Sequence, residues 1–380
     1  MRIYLDHNAT TPVRDEVADA MDRALRDLPG NPSSVHAEGS AARAAIERAR
    51  DEVAAVLGAE PRDVIFTAGA SEANNTALRR VAPAAGGRHL VSSNVEHPSV
   101  EAPLAALESR GWRVTRLPVD REGRVDANSV EAALEPDTAL VSLLWANNET
   151  GVLLPIDAIA ERVAARGVRL HVDATQMVGK LPIDLRRTRV DLLSLSAHKF
   201  GGPKGVGCLV ARGAPTFEPL IGGGPQEGRR RGGTENVAGI VGLGAACALA
   251  ARELPERSNR QAWLRDRLWD GLREKVPGVR RNGSPVHVLP NTLNVTFEHT
   301  AGELLLQALD VEGVAISSGA ACASGSIEPS RVLLAMGLTP AEARGTLRLS
   351  VGHGIEEVAI DRVLGLLPGL VARVRAAEAA

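Results

Sequence analysis

An aspartate and a lysine stand 26 residues apart, each directly behind a short apolar run: Asp173 in His171-Val172-Asp173-Ala174-Thr175-Gln176, and Lys199 in Ser194-Leu195-Ser196-Ala197-His198-Lys199. If those runs are strands of a doubly wound sheet, both side chains sit at the edge where such sheets bind ligands. A carboxylate there can hold a heteroaromatic nitrogen protonated, and a lysine whose pKa is lowered by its surroundings can form a Schiff base with an aldehyde. Were either motif alone, an ordinary Asp–Lys ion pair would be the better reading. Phe66-Thr67-Ala68-Gly69-Ala70-Ser71-Glu72 follows another run and opens a helix, offering small side chains, free backbone N–H groups and a hydroxyl to a phosphate. A plain turn with a serine cap is the commoner meaning of that pattern. His97, in Asn94-Val95-Glu96-His97-Pro98, could stack on an aromatic ring or be a satisfied loop histidine.

The three cysteines differ by context. Cys208 lies in Gly205-Val206-Gly207-Cys208-Leu209-Val210 and Cys247 in an Ala-rich helix, settings where cysteine acts as a small buried hydrophobe. Cys322 sits in Ser317-Ser318-Gly319-Ala320-Ala321-Cys322-Ala323-Ser324-Gly325-Ser326, a tract of small residues where an accessible nucleophile would be placed. No pair has the CxxC spacing of a metal or redox site, and three cysteines make no disulfide framework.

The elements that must position these residues follow from apolar patterning. Val64 to Phe66, His89 to Ser92, Ala139 to Leu144, Arg169 to Val172, Asp191 to Leu195 and Gly205 to Val210 read as buried strands. Helical stretches alternate with them: Glu38 to Leu57, Ser71 to Arg80, Ser99 to Arg110 and Ile156 to Arg166. Alternation of this kind predicts an α/β fold with a mostly parallel sheet and helices on both faces. After Gly222 to Gly233 the pattern changes to a long helix, Val237 to Lys275, and then mixed short elements. We therefore expect a large domain over 13–250 and a smaller α+β domain made of 1–12 and 251–380. The Ala/Arg/Glu tail from Val371 reads as a helix end that frays.

With 380 residues, 44% of them hydrophobic, the chain can bury a substantial core. Its net charge is −2 and its arginines alternate with acids, which argues against nucleic-acid or anionic-lipid capture. The N-terminus lacks the apolar core of a secretory signal, and no run approaches the ~20 apolar residues of a membrane span. A cytoplasmic location is expected.

Together the segments resemble the cysteine desulfurases of the class V aminotransferase superfamily (the NifS/IscS-like group) from Tyr4 to about Gly352. The motifs are Ala9-Thr10-Thr11-Pro12, Gly30-Asn31-Pro32-Ser33-Ser34, Asn147-Asn148-Glu149, His171-Val172-Asp173-Ala174, Ser196-Ala197-His198-Lys199, Arg231-Gly232-Gly233-Thr234 and Ser317-Ser318-Gly319 leading to Cys322. The resemblance implies the type I pyridoxal phosphate fold with a seven-stranded sheet, and a homodimer with shared active sites. It implies that Lys199 carries the cofactor, Asp173 partners the ring nitrogen, His97 stacks on the ring, and Gln176 and Asn148 lie near ring oxygen and substrate. Ala70, Ser71, Ser196 and His198 would hold the phosphate, joined by Thr234 of the other subunit; Asn31 and Arg348 would bind the substrate carboxylate. Cys322 would take sulfur from L-cysteine as a persulfide, releasing alanine, with His97 as acid or base.

The loop, about 317–330, is similar to the longer form found in housekeeping and nitrogen-fixation desulfurases. His7-Asn8 and Ala320 depart from the usual motifs, and the sequence beyond Leu366 is shorter than in relatives that dock an iron-sulfur scaffold. The acceptor of the sulfur, an iron-sulfur scaffold or a thiolation protein, stays open. A selenocysteine lyase or another class V enzyme is the nearest alternative, and a non-catalytic sulfur-relay subunit a more distant one.

Overall fold

The computed structural model describes residues 2–213, 215–318 and 328–379, so Cys322 lies outside the described residues. The chain enters through β1 (Ile3–Tyr4). Seven strands then build the large sheet: β2 (Val64–Thr67), β3 (His89–Ser93), β4 (Arg113–Leu117), β5 (Thr138–Leu144), β6 (Arg169–Asp173), β7 (Leu192–Ser196) and β8 (Gly207–Ala211). Their spatial order is β2-β8-β7-β6-β5-β3-β4, with only β8 antiparallel to its neighbours. The expected seven-stranded, mostly parallel sheet is present.

The strands read as unbroken apolar runs because both faces are covered. Successive residues serve opposite cores: Val141 and Leu143 of β5 and Leu193 of β7 pack into one. Their neighbours Leu140 and Leu192 pack into the other, with Leu78 and Leu104. Only β4, at the sheet edge, was not anticipated; its first residue is exposed and its next three half-buried, so it carries no apolar run.

A second sheet, order β12-β13-β10-β9, is antiparallel throughout: β9 (Val279–Arg281), β10 (Thr292–Phe297), β12 (Ser317–Ser318) and β13 (Thr346–Ser350). β11 (Val314–Ala315) pairs in parallel with β1, which ties the N-terminus to this half. Here Phe297, Leu347 and Leu349 pack against Leu264, Leu268 and Leu272 to form a separate core.

One helix, Val237–Lys275, serves both cores, contributing Leu243 and Cys247 to the first and Leu264, Leu268 and Leu272 to the second. The boundary expected between 250 and 251 thus falls inside a continuous helix. Among the described residues it is also the one helix long and apolar enough to cross a membrane, but its apolar window is 56% buried within the fold. It lies against helix Ala37–Leu57 so closely that a Cβ on Gly244 would come within 2.7 Å of Ala49 Cα. The C-terminal tail does not fray: helix Glu357–Ala379 continues through it, with Val371 and Val374 buried and the Glu378 carboxylate accepting from Ala301 N at 2.9 Å.

Leu268 is fully buried in the second core. Leu268→Ala should therefore cost about 2–5 kcal/mol, from lost transfer energy plus the cavity left behind. Urea denaturation followed by circular dichroism measures this; a change below about 1 kcal/mol would show that the site collapses around the missing atoms.

Candidate functional site

The C-terminal ends of β2, β3, β5, β6 and β7 point to one side of the large sheet, and the loops behind them enclose a cavity of about 640 Å³. Ala70, Ser71, His97, Asn148, Asp173, Gln176, Ser196, His198, Lys199 and Arg348 all line it. Ala70 and Arg348, 278 positions apart, are thereby brought to one cavity. Asn31 and Thr234 do not line the cavity of this chain. Asn31 is exposed, its Oδ1 accepting from Ser33 N at 2.9 Å, and Thr234 is exposed at the end of the Gly-rich segment.

Asp173 closes β6 and is buried, 7% exposed. Its Oδ2 accepts from Asn74 Nδ2 at 2.7 Å and its Oδ1 from Thr175 N at 3.0 Å, fixing the carboxylate plane. Lys199 ends the short 3₁₀ turn that follows β7. Its Nζ donates to the carbonyls of Asn8 at 2.7 Å and Ala9 at 2.8 Å. Burial, reinforced by the Arg348 guanidinium, lowers its pKa to about 8, although Asp173 and Asp6 pull the other way. A lysine tuned so holds a substantial amine fraction near neutral pH.

His97 caps helix Pro98–Glu108, and its Nδ1 accepts from Ser99 N at 3.1 Å. Ser99 Oγ lies 2.8 Å from the same nitrogen and accepts from Asn74 Nδ2 at 2.9 Å. With Nδ1 an acceptor, the neutral ring carries its proton on Nε2. Burial lowers the His97 pKa, Asp173 opposes the shift and Lys199 adds to it. Asn74 therefore bridges Asp173 and the histidine cap, a link no sequence signal exposed.

The position of His97 is set from behind by Glu96, whose Oε1 accepts from Ser93 Oγ at 2.6 Å and from Leu144 N at 3.1 Å. That carboxyl pins the end of β3 to the end of β5. Burial raises its pKa to about 8 against the pull of those two hydrogen bonds, toward the neutral acid.

Opposite lies Arg348 of β13, donating through Nη1 to Asn148 O at 2.9 Å and through Nη2 to Asp6 Oδ1 at 2.6 Å. Its Nε is buried without a partner. His198 Nδ1 is 3.1 Å from Thr10 Oγ1, and burial, with Lys199 and Lys204 near, lowers its pKa to about 4. No side chain caps the helix opening at Ala70, so its leading N–H groups are unclaimed beside Ser71 and Ser196. One end of the cavity thus suits a phosphate, the middle an aromatic ring bearing an aldehyde, and the far side a carboxylate. These are the parts of pyridoxal phosphate and an amino acid, and the donor set fits them.

The sequence profile described as aminotransferase class-V matches residues 3–363. A cysteine desulfurase of Klebsiella pneumoniae is 47% identical over 376 residues, covering 99% of this chain and 94% of that protein. A solved NifS-like protein superposes with a TM-score of 0.92 at 36% identity, covering 98% of this chain and all of that one. A structure described as SspA in complex with cysteine superposes with a TM-score of 0.83 at 37% identity, over 93% of this chain and 99% of that one.

The buried Glu96 carboxyl makes stability fall with rising pH. Its folded pKa, about 8, lies above the ordinary 4.5 expected of the unfolded chain. Its contribution is therefore full below pH 4.5 and lost as pH rises through about 8. Between pH 6 and 9 the melting temperature of apoprotein should drop less in Glu96→Gln than in the parent; equal drops would mean that Glu96 is ionised in the fold.

Proposed function

The chain belongs to the aminotransferase class-V family and is a cysteine desulfurase working with pyridoxal phosphate, and on that premise we propose how its residues share the reaction. What carries the proposal is the convergence of Lys199, Asp173 and His97 on one cavity from three separate strand ends. Pyridoxal phosphate, when bound, supplies an aldehyde carbon for an amine and a ring that accepts electron density from the substrate Cα.

Lys199 Nζ would hold the aldehyde end and, once the substrate amine replaces it, carry the Cα proton. Its lowered pKa supports both tasks. The Asp173 carboxylate, oriented by Asn74 and Thr175, would keep the ring nitrogen protonated. His97 would stack on the ring with its Nε2 proton available for transfer. Gln176 and Asn148 would lie near the ring oxygen and the substrate. Ala70, Ser71, Ser196 and His198 would hold the phosphate, and the cavity-lining Arg348 the substrate carboxylate. Asn31, exposed and not among the cavity-lining residues, is proposed to share that task.

Cys322 is the proposed sulfur acceptor. Its sulfur bonds to the sulfur of L-cysteine, the substrate's C–S bond breaks, and the carbon skeleton takes up protons and leaves as alanine, so that cysteine plus thiol gives alanine plus persulfide. Cys208 and Cys247 are poor candidates: both are fully buried, and burial raises both thiol pKa values. A selenocysteine lyase is not favoured, since near full-length relatives are cysteine desulfurases.

We also propose a homodimer, with Thr234 reaching the phosphate of a second copy. The exposed Thr234, with Val35 at 95% and Ile221 at 39% exposure, supports this. A cytoplasmic location, and a sulfur-acceptor protein serving iron-sulfur or thiolation chemistry, complete the proposal.

Incubated with L-cysteine and a reductant, the protein should yield alanine and sulfide in equal amounts. Lys199→Ala should make neither. Cys322→Ser should still bind cysteine, seen as a spectral change, but stop releasing sulfide, and mass spectrometry of the parent should find added sulfur on the Cys322 peptide alone. A persulfide confined to Cys208 or Cys247 would overturn the assignment.

A further inference from the structure

The Gly-rich segment before Thr234 holds an unusual backbone. Glu227, Gly228 and Arg229 are consecutive residues in the left-handed region, with φ of 48°, 63° and 66°. Only the middle one is a glycine, so something must hold the other two there. The Glu227 carboxylate is buried, its side chain 3% exposed. It accepts from Arg50 Nη1 and Nη2, both at 2.9 Å, and from Phe66 N at 2.8 Å. Arg50 also donates to Val64 O at 2.9 Å, and its guanidinium lies over the Phe66 ring at 4.7 Å. The segment is therefore fastened to β2, the strand that runs directly into the Ala68–Ser71 turn.

A second fastening lies further along. Arg231 donates to Glu72 through Nε at 3.0 Å and Nη2 at 3.4 Å, while Glu72 Oε2 also accepts from Ala68 N at 2.8 Å. Glu72 is the neighbour of Ser71. Within the segment, Gly233 N donates to Gln226 Oε1 at 3.3 Å and Gly232 N to Ile221 O at 2.8 Å. Two acid–arginine pairs thus join the segment and the phosphate-facing turn of the same chain into one body, with the exposed Thr234 at its end.

We propose that Glu227 and Arg231 are positioning residues for the cofactor phosphate, holding the arm rigid so that Thr234 is presented to the active site of a second copy. This rests on the reading that Thr234 acts across the dimer. The turn at 68–72 is already held by its strand and helix; the arm is tied to β2 and that turn through the two clamps, with Arg230 Nη2 adding a bond to Arg62 O at 3.0 Å. Their loss is felt in the partner's site.

The test is equilibrium binding of pyridoxal phosphate and of phosphate-free pyridoxal to full-length apoprotein. Arg231→Gln should weaken pyridoxal phosphate about tenfold, the ratio matching one lost hydrogen bond to a charged group. Pyridoxal affinity should stay unchanged. Glu227→Gln should do the same, though it leaves Arg50 with only the Glu47 carboxylate at 3.2 Å and lowers stability; the half-buried Arg231 keeps the test decisive if that variant fails to fold. A variant that weakens both ligands equally, or neither, overturns the positioning role. In mixed dimers of Arg231→Gln with Lys199→Ala chains, borohydride-fixed label on Lys199 should regain the parent's affinity, because the labelled site borrows an intact arm. Selective weakening without this rescue would mean that the clamp serves its own turn, overturning the cross-subunit part. A parent protein that is monomeric when loaded would instead sink the dimer reading itself.

Discussion

Asn8 is the knot on which the active-site geometry depends. It is 1% exposed and spends every polar atom. Its N donates to Ser350 Oγ, and its Nδ2 to Thr292 Oγ1 and Asn148 O. Its Oδ1 accepts from Asn291 and Lys180, and its carbonyl from Gln176 and Lys199. Ser350, Thr292 and Asn291 belong to the second sheet and its approaches, while Asn148, Gln176, Lys180 and Lys199 belong to the loops of the large sheet. One buried amide therefore locks the two halves across the site. Because a buried polar group left unpaired is costly, the halves cannot shift without breaking several of these bonds together.

That rigidity makes an unusual electrostatic setting sustainable. Lys180 is buried, with Nζ on Gln176 Oε1 at 2.6 Å and Asn8 Oδ1 at 3.1 Å, and burial pushes its pKa far down. Neighbouring Lys199 and Arg348 push the same way. Glu96 is driven in the opposite sense, toward its neutral acid. Both shifts have one origin: burial in the closed setting that Asn8 locks penalises charge on an acid and on an amine alike. Arg348 pairs with Asp6 and lowers the pKa of Lys199, which Asp6 raises.

Much of this was legible in the sequence where chemistry and strand ends coincide. Asp173, Lys199, His97 and the Ala70–Ser71 turn each follow an apolar run, and each run became a strand of the large sheet. The resemblance then added Asn148, Gln176 and Arg348, which alternation alone could not have linked to the others. Asn8, Asn74 and Glu96 stayed hidden for a physical reason: their roles lie in bonds to residues tens or hundreds of positions away, and nothing local marks them. Asn74 sits mid-helix, Glu96 in a turn, and Asn8 was noticed only as an unusual neighbour of His7. The exposed edge strand β4 and the docked C-terminal helix were missed similarly, since edge exposure erases the apolar run, and an Ala/Arg/Glu composition does not reveal that Val371 and Val374 have a core to enter.

The same logic limits where Cys322 can act. The preceding strand β12 ends at Ser318, and Ser317 both lines the cavity and pairs with Arg348 of β13. On the other side Ser330 caps helix Arg331–Ala335 and donates to the Glu149 carboxylate. Burial raises the pKa of that carboxyl to about 7. The chain before Cys322 is thus paired with cavity-lining Arg348, and the chain after it is tied to Glu149, the neighbour of cavity-lining Asn148. Cys322 is five residues beyond Ser317, a chain length that spans at most about 17 Å fully extended. That length sets an upper bound on how far Cys322, the proposed sulfur acceptor, can stand from the cavity wall at Ser317.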